Sequence, residues 1–170
     1  MTRTIFKTDK KENFNSKSFR MMMNVFPAFR RTGGRVSFIS NDWKEIHVSL
    51  GLNWKTRNYV GTIFGGSIFG SLDPVYMLQL IKILGDDYVV WDKAATIKFL
   101  KPIKTKVFAR FLLTDEILNE IISKVKSENK YSIDLTASFQ DENNLIYSEM
   151  TKTIYIADKN FYKTKRIQAE

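Results

Sequence analysis

The chain has 170 residues, which suits one domain with a substantial core, and its 44% hydrophobic and 14% aromatic content excludes a disordered chain. It has no Cys, which excludes disulfides, thiolate zinc sites and cysteine nucleophiles, and a single His, which excludes a multi-histidine metal site within one chain. The net charge of +9 fits either a lysine-rich surface or attraction to an anionic partner.

Residues 1–15 are polar and charged and read as a loose N-terminal arm without the apolar core of a signal peptide. Ser16 or Ser18 can cap a helix through Phe19, Met22, Met23 and Phe26, with a kink at Pro27 and an end at Gly33-Gly34. Val36 and Phe38 then alternate with Ser37, and Ile46, Val48 and Leu50 with His47 and Ser49. These are two strands of a hairpin turning at Asn41-Asp42, with His47 on the polar side.

After a polar crossing over Asn53 to Thr62, Phe64-Gly65-Gly66-Ser67 opens an apolar helix over 65–84, ended by Gly85. Its second half is apolar on nearly every face, so an enclosed helix is expected. One carboxylate, Asp73, sits inside it, followed by Pro74. Pro74 lacks an N–H, which frees the Gly70 carbonyl and predicts a kink that re-aims Asp73 toward a cleft or toward nearby backbone.

Four strand signals follow: Tyr88 to Leu100, Lys106 to Leu113, Tyr131 to Gln140, and Leu145 to Ile156. A short amphipathic helix starts at Thr114-Asp115-Glu116 between the second and third. A basic tail with Lys159, Lys163, Lys165 and Arg166 occupies 158–170, leaving one domain over 16–157. An antiparallel sheet wrapped around one buried helix, an α+β fold, accounts for the missing polar face. No run is expected to be long and uncharged enough to span a bilayer, so a cytoplasmic protein is the default.

This layout resembles the hotdog fold and its PaaI-like acyl-CoA thioesterases. In that family the helix begins His-Gly-Gly, with an acid nine positions after the His and often an Asn six before it. Here Phe64 stands at the His position, Asp73 at the acid and Asn58 at the Asn. The group called domain of unknown function 4442 (DUF4442) is a closer match. That likeness rests on Gly61-Thr62-Ile63-Phe64-Gly65-Gly66, Asp73-Pro74, Val90-Trp91-Asp92-Lys93-Ala94-Ala95 and Phe99-Leu100-Lys101-Pro102, and it covers roughly residues 20–156.

The resemblance implies thioester hydrolysis without a metal or redox cofactor, CoA being part of the substrate. Asp73 would be nucleophile or general base, a Gly65 or Gly66 amide would polarise the carbonyl, and Asn58 would orient water or carbonyl, a loop Asn that makes a turn being its other reading. Phe64, Asp92 and Trp91 are candidate substrate contacts, and for Asp92 a salt bridge between strands is the other reading. The apolar second half of the helix could border an acyl pocket, and the CoA phosphates suit the positive charge.

Gly65 and Asp73 lie eight residues apart, about 12 Å along one helix, so one carbonyl cannot reach both. A two-fold homodimer that shares its sites, extendable to a tetramer, resolves this. No membrane insertion is expected. Phe64 cannot donate a hydrogen bond as His does, which supports the alternative of a hotdog protein that binds acyl-CoA or a lipid-like ligand without turnover. Charge alone supports the third reading, a nucleic-acid-associated protein, and no nucleic-acid partner is expected.

Overall fold

The computed structural model describes residues 5–167. Residues 1–4 of the expected arm and 168–170 of the expected tail lie outside the described residues, as do the side chains of Lys165 and Arg166.

Asn13 starts the first helix. Its side chain accepts the Ser16 amide at 2.8 Å while Ser16 Oγ accepts the Asn13 amide at 3.0 Å. This reciprocal cap starts α1 (Phe14–Val25) earlier than a cap at Ser16 or Ser18 would. Pro27 opens a second helix, α2 (Pro27–Thr32), at the one position where its missing N–H costs nothing, and Gly33 closes it at φ +82°.

The strands are β1 (Gly34–Ile39), β2 (Glu45–Leu50), β3 (Tyr88–Phe99), β4 (Val107–Leu112), β5 (Lys130–Gln140) and β6 (Ile146–Asp158). They form one six-stranded antiparallel sheet in the order β1-β2-β4-β5-β6-β3, so β3 is an edge strand paired only with β6.

The central rod is two helices, α3 (Gly65–Leu72) and α4 (Val75–Leu84), meeting at Asp73-Pro74. Asp73 itself keeps helical dihedrals, φ −49° and ψ −53°, so the break comes from Pro74 and not from unusual geometry at the acid. Leu72, Val75, Tyr76 and Leu80 are buried in the core with Phe111, Phe139 and Met150. Tyr76 Oη donates to the Thr136 carbonyl at 2.8 Å. The other face is not enclosed as expected, because Met77 and Leu78 are half-buried and Ile81 is exposed.

By length and composition residues 65–84 could cross a membrane, contrary to the expectation that no run could; their inner face is part of this core. Between β4 and β5, α5 (Asp115–Glu128) is capped by Thr114 and buries Leu118, Ile121 and Val125. In the region expected as a basic tail, Lys159–Ile167 form a helix, α6.

The arm is tied down along its described length. The Asn41 amide donates to the Lys11 carbonyl at 2.8 Å, Thr8 Oγ1 donates to Glu45 Oε2 at 2.9 Å, and the Phe6 ring lies 5.0 Å from that of His47. His47, placed by alternation on a polar face, is therefore buried. Its Nε2 donates to Glu45 Oε1 at 2.7 Å, and the same oxygen accepts Arg110 Nε at 2.8 Å.

Burial disfavours imidazolium and lowers the His47 pKa below its ordinary 6.5. Burial also opposes the Glu45 charge, but hydrogen bonds from His47, Thr8 and Arg110 outweigh it and hold Glu45 below its ordinary 4.5. Both groups then bind fewer protons folded than unfolded, so stability is present at neutral pH and is lost as pH falls. Melting temperature followed against pH is expected to drop first through the histidine range and then through the carboxylate range. His47→Gln should flatten the leg between about pH 7 and 5.5.

Candidate functional site

The start of α3 is built from two glycines under two phenyl rings. A Cβ at Gly66 would lie 2.3 Å from the Phe64 ring, and one at Gly65 would lie 3.2 Å from that of Phe99. Phe64 is the N-cap residue but offers no side-chain cap, and its carbonyl accepts the Ser67 and Ile68 amides at 2.9 and 3.1 Å. The Gly65 and Gly66 amides donate no hydrogen bond among the described residues, as a helix start leaves them. A cleft of about 540 Å³ opens in front of Gly65, lined also by Asn58, Thr62, Phe99, Lys101 and Lys104.

Asn58 shapes the loop that feeds this cleft. Its Nδ2 donates to Thr62 Oγ1 at 2.8 Å and its Oδ1 accepts the Thr62 amide at 2.9 Å. Both ends of the side-chain amide are thus engaged in closing a turn.

Asp73 is held from the sheet. Lys152 Nζ, on β6, donates to Asp73 Oδ1 at 2.6 Å and lies 2.9 Å from Asp92 Oδ2 on β3. The lysine side chain is 2% exposed, whereas that of Asp73 is 37% exposed. An ammonium buried to this degree is tolerable only because two carboxylates flank it. Asp73 Oδ2 accepts no hydrogen bond among the described residues. Asp92 Oδ1 is buried without a partner. Asp92 therefore makes the strand-to-strand ion pair that was one of its two sequence readings.

On its other side Asp73 lines an apolar groove of about 560 Å³ between α1, α2 and the central helices. Trp91, the residue before Asp92, points to the opposite face of β3, is exposed, and lines neither cleft. Within one chain the fold brings together Asp73, Asp92 and Lys152 at one end of α3, and Asn58, Phe64, Gly65 and Gly66 at the other.

Lys152 is the residue that motif reading misses, although its signal is in the sequence. Ser148, Met150, Ile154 and Ile156 are the inward positions of β6, and Lys152 falls in the same alternation. A lysine on an apolar stripe asks for an acid. Among the described residues no group of three or more His, Asp or Glu could hold a metal ion.

The family model described as domain of unknown function (DUF4442) matches residues 15–156, and the chain belongs to that family. No curated protein matches the sequence. A Pseudomonas aeruginosa protein of unknown function, named as a probable thioesterase, superposes with TM-score 0.74 at 16% identity over 86% of this chain and 98% of its own. A Chlorobaculum tepidum protein of unknown function gives TM-score 0.67 at 16% identity, over 85% of this chain and 95% of its own. A Haemophilus influenzae thioesterase gives TM-score 0.61 at 15% identity, covering 89% and 96%. At such identities the likeness is one of fold: the α+β hotdog architecture, an antiparallel sheet around a partly buried central helix.

Removing the buried lysine leaves two carboxylates facing each other. Lys152→Met is expected to destabilise the chain by about 2–3 kcal/mol, short of the largest penalties for breaking a buried pair because Asp73 keeps solvent contact. Adding Asp73→Asn and Asp92→Asn to that variant should recover most of the loss. Urea unfolding of the single and triple variants checks both expectations.

Proposed function

We propose that this member of the DUF4442 family is an acyl-CoA thioesterase-like hydrolase that works as a homodimer. One observation carries the reading. A partly exposed carboxylate, Asp73, stands at the break in the central helix, fixed through one oxygen by a buried lysine, with its other oxygen unengaged among the described residues and beside an apolar groove.

Asp73 Oδ2 is free to deprotonate a water that attacks the thioester carbonyl, or to attack it directly. The developing oxyanion takes hydrogen bonds from a Gly65 or Gly66 amide of the other subunit. On the first route the carbon–sulfur bond breaks as the proton taken from water passes to the CoA thiolate, and the hydroxide becomes the hydroxyl of the acid product. On the second route CoA leaves as thiolate from an anhydride between the acyl group and Asp73, and water then hydrolyses that anhydride, freeing the carboxylate and supplying the thiol proton and the product hydroxyl. Lys152 acts as a positioning residue on Asp73. Asn58 holds the loop before the helix start, and exposed Lys101 and Lys104 beside Gly65 suit the CoA phosphates.

Three features support a dimer with shared sites. The outer edge of β3 is unpaired along twelve residues, a template for a second copy. Trp91, Phe99 and Leu100 are exposed on or just beyond that strand. Gly65 and Asp73 stand at opposite ends of α3, with all eight residues of their separation in helical geometry.

A second reading, ligand binding without turnover, is favoured by Phe64. It is 57% exposed, cannot donate a hydrogen bond, and lies against Gly66, next to the amides the mechanism uses.

Thiol release across a panel of acyl-CoA esters separates the two readings. Asp73→Asn is expected to lower turnover at least about 100-fold, and equal rates for both proteins would remove Asp73 from the chemistry. Light scattering is expected to give twice the 19.8 kDa chain mass. Asp73→Asn and Gly66→Val, each inactive alone, should regain about a quarter of wild-type activity when unfolded and refolded as an equal mixture, because half the dimers then hold one intact shared site.

A further inference from the structure

We infer that the groove between α1, α2 and the central helices seats the apolar chain of the substrate, with the thioester end at Asp73; this rests on the hydrolase reading above.

The groove is lined by Met22, Met23, Phe26, Phe29, Met77 and Leu78, and Asp73 is the only charged residue on its wall. Met22 and Phe26 are exposed there, and Met77 and Leu78 are the face of α4 that the sheet does not cover. Apolar side chains gathered around a hollow of about 560 Å³ match the size and lining of a small-molecule pocket. Thr32 approaches Gly70 so closely that a Cβ on that glycine would lie 2.9 Å from Thr32 Cγ2, which packs α2 against α3 beside the acid.

Charge selects the end of the ligand. No lysine or arginine lines the groove, so a free carboxylate entering beside Asp73 would meet a like charge. A neutral thioester meets none. The same asymmetry expels the product acid once it forms. The three methionines, unbranched and polarisable, allow the walls to follow chains of different length.

The test uses S-butyl-, S-octyl- and S-dodecyl-CoA, thioethers that cannot be hydrolysed, titrated calorimetrically into the full chain. Affinity is expected to rise about two- to fourfold per methylene buried, and free dodecanoate to bind more weakly than S-dodecyl-CoA. Ala28→Trp and Met22→Trp fill the groove from exposed rim positions. Each is expected to erase the gain from butyl to dodecyl, with the melting temperature as a control for folding. Affinity independent of chain length, or a dodecyl gain untouched in both variants, overturns the inference. So does a fall in solution mass on adding S-dodecyl-CoA, which assigns the groove to a second copy. Turnover without a chain-length gradient rejects the groove and keeps the hydrolase. A gradient without turnover rejects the hydrolase and keeps the groove.

Discussion

One ammonium group, Lys152 Nζ, joins the break in the central helix to the edge of the sheet. It sits between Asp73 and Asp92 with almost no access to water, and removing it from water is unfavourable unless both acids face it. The three groups come from three elements: the α3–α4 junction, β3 and β6. Their meeting requires the antiparallel register that sets Asp92 opposite Ile154, two residues along from the lysine, together with a bulge between Asp92 and Ala94. An ion pair of this kind favours one geometry more than it adds stability. Here it fixes where the helix breaks relative to the sheet.

The two ends of α3 are built on opposite principles. At the acid, a charge is tied by a charge and left partly wet. At the glycines, rings crowd the Cα positions beside bare amides, since Phe64 and Phe99 approach so closely that no side chain fits at 65 or 66 without a shift. The glycines thus answer a steric demand as well as offering donors.

Much of this was legible in the sequence, because it depends on local pattern. The alternation through β5, the Thr114 cap, the Pro74 break and the Gly33 stop each follow from residues within a few positions of one another. What escaped depends on distant packing. His47 alternates as a solvent-facing residue, but Phe6 and Thr8 return across β2 and bury it with Glu45. The helix over 65–84 reads as enclosed because apolar residues look alike whether they face a core or a hollow; only the position of α1 and α2 shows that Met77 and Leu78 face a hollow.

The strand order also has a consequence for how the chain matures on the ribosome. β3 is made midway along the chain, but its sole neighbour, β6, is the last strand, made only after residues 100–145. Until then the strand has no partner on either side, and Asp73 and Asp92 have no cation between them. The acid acquires its counter-ion only when β6 inserts between β5 and β3. A chain cut short before residue 152 lacks both the missing rung and the group that orients the carboxylate.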